Sequence, residues 1–212
     1  MKRIVLYGGG LDSTVLALSL AATYSPGEIE LLHIDYGQKA APGERAAQSR
    51  MADRGFPVSC LSLDIDYSAA SIMTPGIANE RASNVLELRN PLLVAFAASY
   101  AASIAERSML YLGFHREDDN VFPDAHADWL RDMQSVLQQA SHRSVLLMAP
   151  FCDLSRKDIF ANGLQIEPAL ASLAYTCYEA EACGLCTHCR ELELMQRELG
   201  VWDAPQPRLT SV

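Results

Sequence analysis

Five short apolar runs punctuate the first two thirds of the chain, and helix-like stretches separate them. The runs are Arg3 to Tyr7, Ile29 to Ile34, Val58 to Leu63, Met109 to Gly113 and Val145 to Met148. Gly, Pro, Asp or charged residues bound each run. Ser13 to Thr23, Gly43 to Arg54, Pro91 to Glu106 and Ala127 to Ala140 carry the helical patterns between them. Strands alternating with helices imply a parallel sheet covered on both faces, because a parallel connection must cross over the sheet. Nearly continuous apolar strands fit that burial. The expected fold class is therefore α/β, a doubly wound and mostly parallel five-stranded sheet. With 212 residues and 50% apolar content, the chain can bury one sizeable core.

Local signals refine this outline. Asn90 is expected to cap a helix with Pro91 at its first position. Ser155 followed by Asp158 resembles a capping box. Ser68 to Leu88 has no clear period and is a candidate lid, the alternative being a variable surface insertion. Residues 1–170 are expected to form the α/β domain. Residues 171–200 form a cysteine module and helix packed on it, the helix running from Thr187 to Leu199, and 201–212 form an extended tail.

Charge and hydropathy exclude several classes. A net charge of −9 argues against a broad nucleic-acid footprint, which is usually basic. The apolar run after Met1-Lys2-Arg3 stops at Gly8, too short for a signal peptide. No apolar run reaches the roughly 18 residues of a membrane span. Leu92 to Ala105, interrupted by Ser99 and Ser103, reads as a buried helix. A cytoplasmic location is the default expectation.

The first strand runs into Gly8-Gly9-Gly10-Leu11-Asp12-Ser13-Thr14 and then a helix. Glycines let the backbone turn tightly and approach a polyphosphate. Exposed N–H groups at a helix N-terminus favour anionic oxygen. Ser13 and Thr14 can add hydroxyl donors, whereas Asp12 is suited to capping the helix or binding Mg²⁺. The loop is neither a Walker A sequence nor the dinucleotide fingerprint. Its place after the first strand puts it at the carboxyl edge of the sheet, where open α/β folds bind ligands.

Four of the six cysteines, Cys177, Cys183, Cys186 and Cys189, lie within thirteen positions. In a reducing compartment such spacing reads as a metal site. Four thiolates suit tetrahedral Zn²⁺, although ligand type alone also permits an iron–sulfur cluster. A closed set of four makes the site structural. His188 is then expected to be a surface residue, and Cys60 and Cys152 small core hydrophobes.

The loop resembles the Ser-Gly-Gly-x-Asp-Ser element of N-type ATP pyrophosphatases, whose fold is the adenine nucleotide alpha hydrolase type. Asp35-Tyr36-Gly37-Gln38-Lys39 is similar to the Asp-Tyr-Gly-Gln-Arg segment of the 7-cyano-7-deazaguanine synthase (QueC) family within that group. Arg89-Asn90, Gly113, Asp118, Phe122-Pro123-Asp124, Pro150 with Leu154 to Ile159, and Thr176-Cys177-Tyr178 match further QueC elements in order. The chain is identified as a QueC-like member on these motifs, which run from the first strand to about residue 195. The family carries zinc at a matching cysteine motif, which points to zinc over iron–sulfur here.

The resemblance implies an ATP-dependent carbon–nitrogen ligase that makes the nitrile preQ0, 7-cyano-7-deazaguanine, from the 7-carboxy acid and ammonia, with ATP and Mg²⁺. It implies nucleotide contacts at Tyr7, Gly8, Gly9, Gly10, Leu11, Asp12, Ser13, Thr14, Asp35, Tyr36, Gln38, Lys39 and Gly113. Asp12, Ser13 and Arg89 are the expected catalytic residues. Arg89, Asn90, Asp118, Phe122, Asp124 and Lys157 are the expected substrate contacts, and Cys177, Cys183, Cys186 and Cys189 the metal ligands. A homodimer is expected, with small-molecule substrates and no nucleic acid or membrane. This sequence departs from the family at several positions. Gly8 stands for the loop serine, Phe122 for Tyr, Ala125-His126 for Cys-Arg, and Arg156 for Lys. Two alternatives follow: a divergent relative joining a deazaguanine acid to another amine or a protein, in a modification or defence system, and an inactive nucleotide-binding module.

Overall fold

The computed structural model describes residues 1–63, 88–118 and 123–201. Among them lie five strands: β1 (Lys2–Leu6), β2 (Ile29–Asp35), β3 (Val58–Ser62), β4 (Arg107–Tyr111) and β5 (Ser144–Met148). They form a single sheet in the order β3-β2-β1-β4-β5, and every pairing is parallel. The helices are α1 (Leu11–Ala21), α2 (Ala41–Ala52), α3 (Arg89–Ile104), α4 (Ala127–Ala140), α5 (Arg156–Ile166), α6 (Leu170–Leu173) and α7 (Thr187–Glu198). The expected architecture stands, and the short α6 carried no periodic signal in the sequence. The lid candidate, apart from Leu88, lies outside the described residues, as do Phe122 and the tail beyond Val201.

The period of two along each strand divides the core in two. Val5, Leu31 and Tyr111 face α1, α5 and Met195 of α7. Ile4, Leu32 and Leu110 face Val94, Ala97, Ala98 and Ala101 of α3. A strand apolar on both faces needs a layer of helix on each, as the continuous apolar runs require. Phe160 and Ile159 of α5 are fully buried. Each contributes about 1.5–3 kcal/mol relative to exposure.

Two helix starts bear on the site. Ser155 caps α5 in a reciprocal box with Asp158, as its spacing predicts. Asn90 does not cap α3. The helix begins one residue earlier, after Leu88 in a left-handed conformation (φ 59°). Asn90 sits inside the first turn, where its backbone N–H donates to the Asp124 carboxylate at 3.2 Å and its side-chain amide donates to the same residue. A carboxylate from a distant segment satisfies the orphan N–H that a local cap would otherwise take.

Candidate functional site

In this strand order the direction of winding across the sheet reverses at β1. Connections to β2 leave one side of it and connections through β4 the other, so a crevice opens at the carboxyl ends between them. A cavity of about 530 Å³ occupies that place. Its floor is the Gly8–Ser13 loop, one wall is the turn after β2, and Arg89 and Asn90 enter from α3. The segment from Tyr175 to Glu179, with His188, closes the far side.

Gly10 is the N-cap of α1 and offers no side-chain cap. The first N–H groups of α1 therefore lack intrahelical acceptors and lie at the cavity floor. Asp12 was expected either to cap or to bind metal, and it makes no capping bond. Its Oδ2 lies 3.6 Å from Arg156 Nε, while its Oδ1 is buried without a partner. Thr14 was expected to present a hydroxyl but is fully buried. Its Oγ1 donates to the Gly10 carbonyl at 2.7 Å and accepts from Tyr7 Oη at 3.0 Å. Burial pushes the Tyr7 phenol up to about 12, so it remains a donor. Thr14 thus braces the loop from beneath. Ser13 Oγ is 3.2 Å from the Gly10 carbonyl and stays on the cavity wall.

The glycines differ in purpose. Gly9 has φ +76°, and a Cβ there would press on Ala47 and on the Glu44 backbone of α2 at 3.1–3.2 Å. Gly113 faces the Ser13 backbone in the same way at 3.2 Å. Both are needed because backbone passes close by. Gly8 and Gly10 have nothing within 4 Å of a Cβ, so the missing serine at Gly8 is not a steric requirement.

The turn after β2 is organised by Gln38. Its Oε1 accepts from Tyr36 N at 2.9 Å and its Nε2 donates to Glu44 Oε2 at 2.6 Å. The Asp35 carboxylate accepts from Arg45 at 2.8 Å and from Gly37 N at 3.1 Å. Asp35 therefore shapes the turn without lining the cavity, whereas Tyr36, Gln38 and Lys39 line it.

His188, expected at the surface, is half-buried and lines the cavity. Its ring stacks on Tyr178 with centroids 4.3 Å apart, and its Nε2 lies 2.8 Å from Tyr178 Oη. Burial, helped by Arg156, holds the imidazole down at about 3, and burial pushes the Tyr178 phenol up to about 12. The helical phase of α7 turns His188 inward, which spacing relative to Cys189 alone did not reveal.

The four cysteine sulfurs lie within 4.8 Å of one another. Four ligands at about 2.3 Å around one tetrahedral ion would sit about 3.8 Å apart. Cys177 Sγ is 3.5 Å from Cys183 Sγ and 4.0 Å from Cys186 Sγ. Backbone N–H groups of Glu179 and Cys183 point at Cys177 Sγ, and those of Leu185 and Cys186 at Cys183 Sγ. Burial alone would raise the Cys183 thiol, but the Leu185 and Cys186 donors hold it down at about 7. The turn at Gly184 adopts φ +66°, as expected for a tight reversal. Contrary to the expectation of a core residue, Cys60 is exposed, at the edge strand β3.

A family model described as "Queuosine biosynthesis protein QueC" matches residues 2–196. The chain belongs to the QueC family. Among similar QueC proteins, the 7-cyano-7-deazaguanine synthase of Methanothrix thermoacetophila is 30% identical over 220 residues, covering 95% of this chain and 96% of the relative. That of Campylobacter concisus is 26% identical over 205 residues, covering 89% and 90%. Among solved structures, the U34-tRNA thiolase NcsA from Methanococcus maripaludis with its 4Fe-4S cluster aligns at TM-score 0.50 and 13% identity, over 94% of this chain and 67% of that one. That likeness concerns the fold alone.

Several sequence-predicted positions of this QueC chain stand off the cavity. Gly9 backs onto α2, and Leu11 is fully buried in the core beneath the loop. Asp118 accepts from His115 N at 3.0 Å, and burial raises its carboxyl. Asp124 supports Asn90 from behind. Lys157 pairs with Glu198 at 2.6 Å outside the cavity, while its neighbour Arg156 reaches the cavity wall. Motif matching missed His33, Glu44, Tyr175 and His188, all of which line the cavity.

Proposed function

We propose that this QueC-family chain is an ATP-dependent carbon–nitrogen ligase that converts 7-carboxy-7-deazaguanine and ammonia to 7-cyano-7-deazaguanine through an adenylated carboxylate. The observation that carries this reading is the placement of the Gly8–Ser13 loop. Its capless helix start lies at the carboxyl edge of the sheet, in a cavity walled by the cysteine module, within a chain matched by QueC over residues 2–196.

A substrate carboxylate oxygen attacks the α-phosphorus of ATP, and pyrophosphate departs. With ATP bound at the cavity floor, the N–H groups at the start of α1 would face that negative charge, so catalysis would be mainly positioning and electrostatic stabilisation. Arg89 would orient the substrate carboxylate from α3. Ammonia then forms the C–N bond as AMP leaves, giving the amide. Dehydration to the nitrile removes the remaining oxygen, which again must become a good leaving group. The buried Asp12 Oδ1, without a hydrogen-bond partner, fits a hard divalent cation. Mg²⁺ held there would neutralise phosphate charge. The tight cysteine set fits one Zn²⁺, whereas a cluster with one thiolate per iron would hold the sulfurs further apart.

A second reading keeps the activation step and changes the amine, with a protein amine included. It is favoured by Ala125-His126, where the family has Cys-Arg, next to the Asp124 that supports Asn90. His126 here caps α4 through Nδ1, accepting from Trp129 N at 3.1 Å.

Incubation of the purified protein with ATP, Mg²⁺, ammonia and 7-carboxy-7-deazaguanine, followed by mass spectrometry, tests both. AMP and the nitrile are the expected products. Adenylate that accumulates and is not consumed by ammonia would favour the second reading. No nucleotide turnover would overturn both.

A further inference from the structure

Beside the glycine loop lies a half-buried acid that the adenylation chemistry does not use. Glu44 projects from α2, whose backbone at that residue presses against Gly9. Its carboxylate therefore emerges next to the loop and lines the cavity, with its side chain 17% exposed. Oε2 accepts from Gln38 Nε2 at 2.6 Å, and Gln38 is itself held by Tyr36 N. No cation is bonded to this carboxylate among the described contacts. Arg45 is committed to Asp35 at 2.8 Å, and Lys39 lies 3.6 Å from Glu179. Arg89 of α3 acts only through the field across the cavity.

The group behind Glu44 is His33 of β2, 1% exposed. Its Nδ1 lies 3.1 Å from the Tyr7 carbonyl, which can only accept, so Nδ1 carries the hydrogen. The neutral ring then presents a bare Nε2 that is buried, without a hydrogen-bond partner, and 3.7 Å from Glu44 Oε2. Two lone pairs facing each other in a low-dielectric site favour a proton on one of them. Such a pair can hold one proton between its two groups.

The proposed reaction can use such a pair. Converting ammonia into a nitrile nitrogen strips every hydrogen from it, so a proton acceptor beside the reacting nitrogen would speed the reaction. We propose that Glu44 is the general base for C–N bond formation, with His33 as the residue that positions its carboxylate. This inference rests on the ligase reading above. As the ammonia lone pair forms the C–N bond, the C–O bond to the adenylate breaks and AMP leaves with that electron pair. An N–H proton passes to the Glu44 carboxylate, which later returns it to solvent through the cavity mouth.

The surroundings agree with this role. Burial, reinforced by the Asp35 charge, pushes the Glu44 carboxyl up to about 7, against the lowering effects of Gln38, Arg89 and Arg45. A base of that strength is matched to neutral pH. Burial keeps His33 below its usual value, so it stays neutral alongside.

The test is a single-turnover assay in two stages. Adenylate is first formed from ATP, Mg²⁺ and 7-carboxy-7-deazaguanine; ammonia is then added at constant free-base concentration, and amide is quantified. In the wild type the amide-forming rate is expected to rise from about pH 6 to a plateau near pH 8. Glu44→Gln should slow amide formation roughly 10²–10⁴-fold relative to the variant's own rate of adenylate formation and lose the pH dependence. Glu44→Asp, which keeps a carboxylate, should be slower yet retain the rise. A flat wild-type profile overturns the proposal. So does a Glu44→Gln protein that makes amide at the wild-type rate, or one that folds but forms no adenylate. If Glu44→Gln does not fold, the wild-type profile and Glu44→Asp decide. A wild-type protein that forms no adenylate at all refutes the ligase reading instead, and this inference falls with it.

Discussion

Gly43→Ala tests the junction between the loop and the cysteine module. Gly43 is buried in the first turn of α2, and a Cβ there would overlap the ring carbons of Tyr175. Tyr175 joins two parts of the site. Its backbone N–H donates to the Gly9 carbonyl at 2.7 Å, its hydroxyl donates to the Glu179 carbonyl, and Cys177 follows two residues later. In an open helix, alanine in place of glycine stabilises by up to about 1 kcal/mol. Here the ring must move. Overpacking a filled site costs about 1–3 kcal/mol. Losing the bond to Gly9 adds about 0.5–1.5 kcal/mol. The net expectation is a destabilisation of about 1–3 kcal/mol, a fall in melting temperature of about 4–8 °C at the middle of that range for a chain of this size. Thermal and urea unfolding measure it. With Tyr175→Ala in the background the sign should reverse, because the obstacle is gone and helix propensity remains. A Gly43→Ala protein as stable as wild type, or more stable, would refute the packing argument, since a free position can only gain.

Other substitutions probe the same floor. Thr14→Val leaves the buried Tyr7 hydroxyl without its acceptor and should destabilise by about 1–3 kcal/mol in urea unfolding. Gly8→Ser restores a hydroxyl where space exists and should tighten ATP binding by about 0.5–1.5 kcal/mol, roughly 2–13-fold, by calorimetry. Cys186→Ala breaks the tetrahedral set, so metal content should fall well below one zinc per chain by elemental analysis. If the cysteines hold the proposed metal, the same variant should lose protection of the Tyr175–Glu179 amides in hydrogen exchange, because ligand bonds would no longer hold that wall.

By itself the sequence determined the sheet, the loop and the cysteine cluster. Strands apolar on both faces allow little but a parallel sheet between helical layers, and the five runs became five strands with ends shifted by at most two residues. Cysteine spacing is local chemistry, so Cys177, Cys183, Cys186 and Cys189 converge as their positions predict. The glycines after β1 mark a turn for the same local reason. What only the tertiary structure decided is which polar side chains meet across distant segments. His33 reads as one more residue of a buried strand and Glu44 as an ordinary helical charge, yet the close seat of α2 on Gly9 brings them together beside the loop. Asn90 looked like a cap until Asp124 took that duty from another segment. Thr14 looked like a ligand until the helix phase turned it toward Tyr7, and His188 looked like a surface residue until α7 turned it toward Tyr178. Local backbone preference is written in neighbouring residues, whereas the orientation of a side chain toward a cavity depends on where whole elements pack.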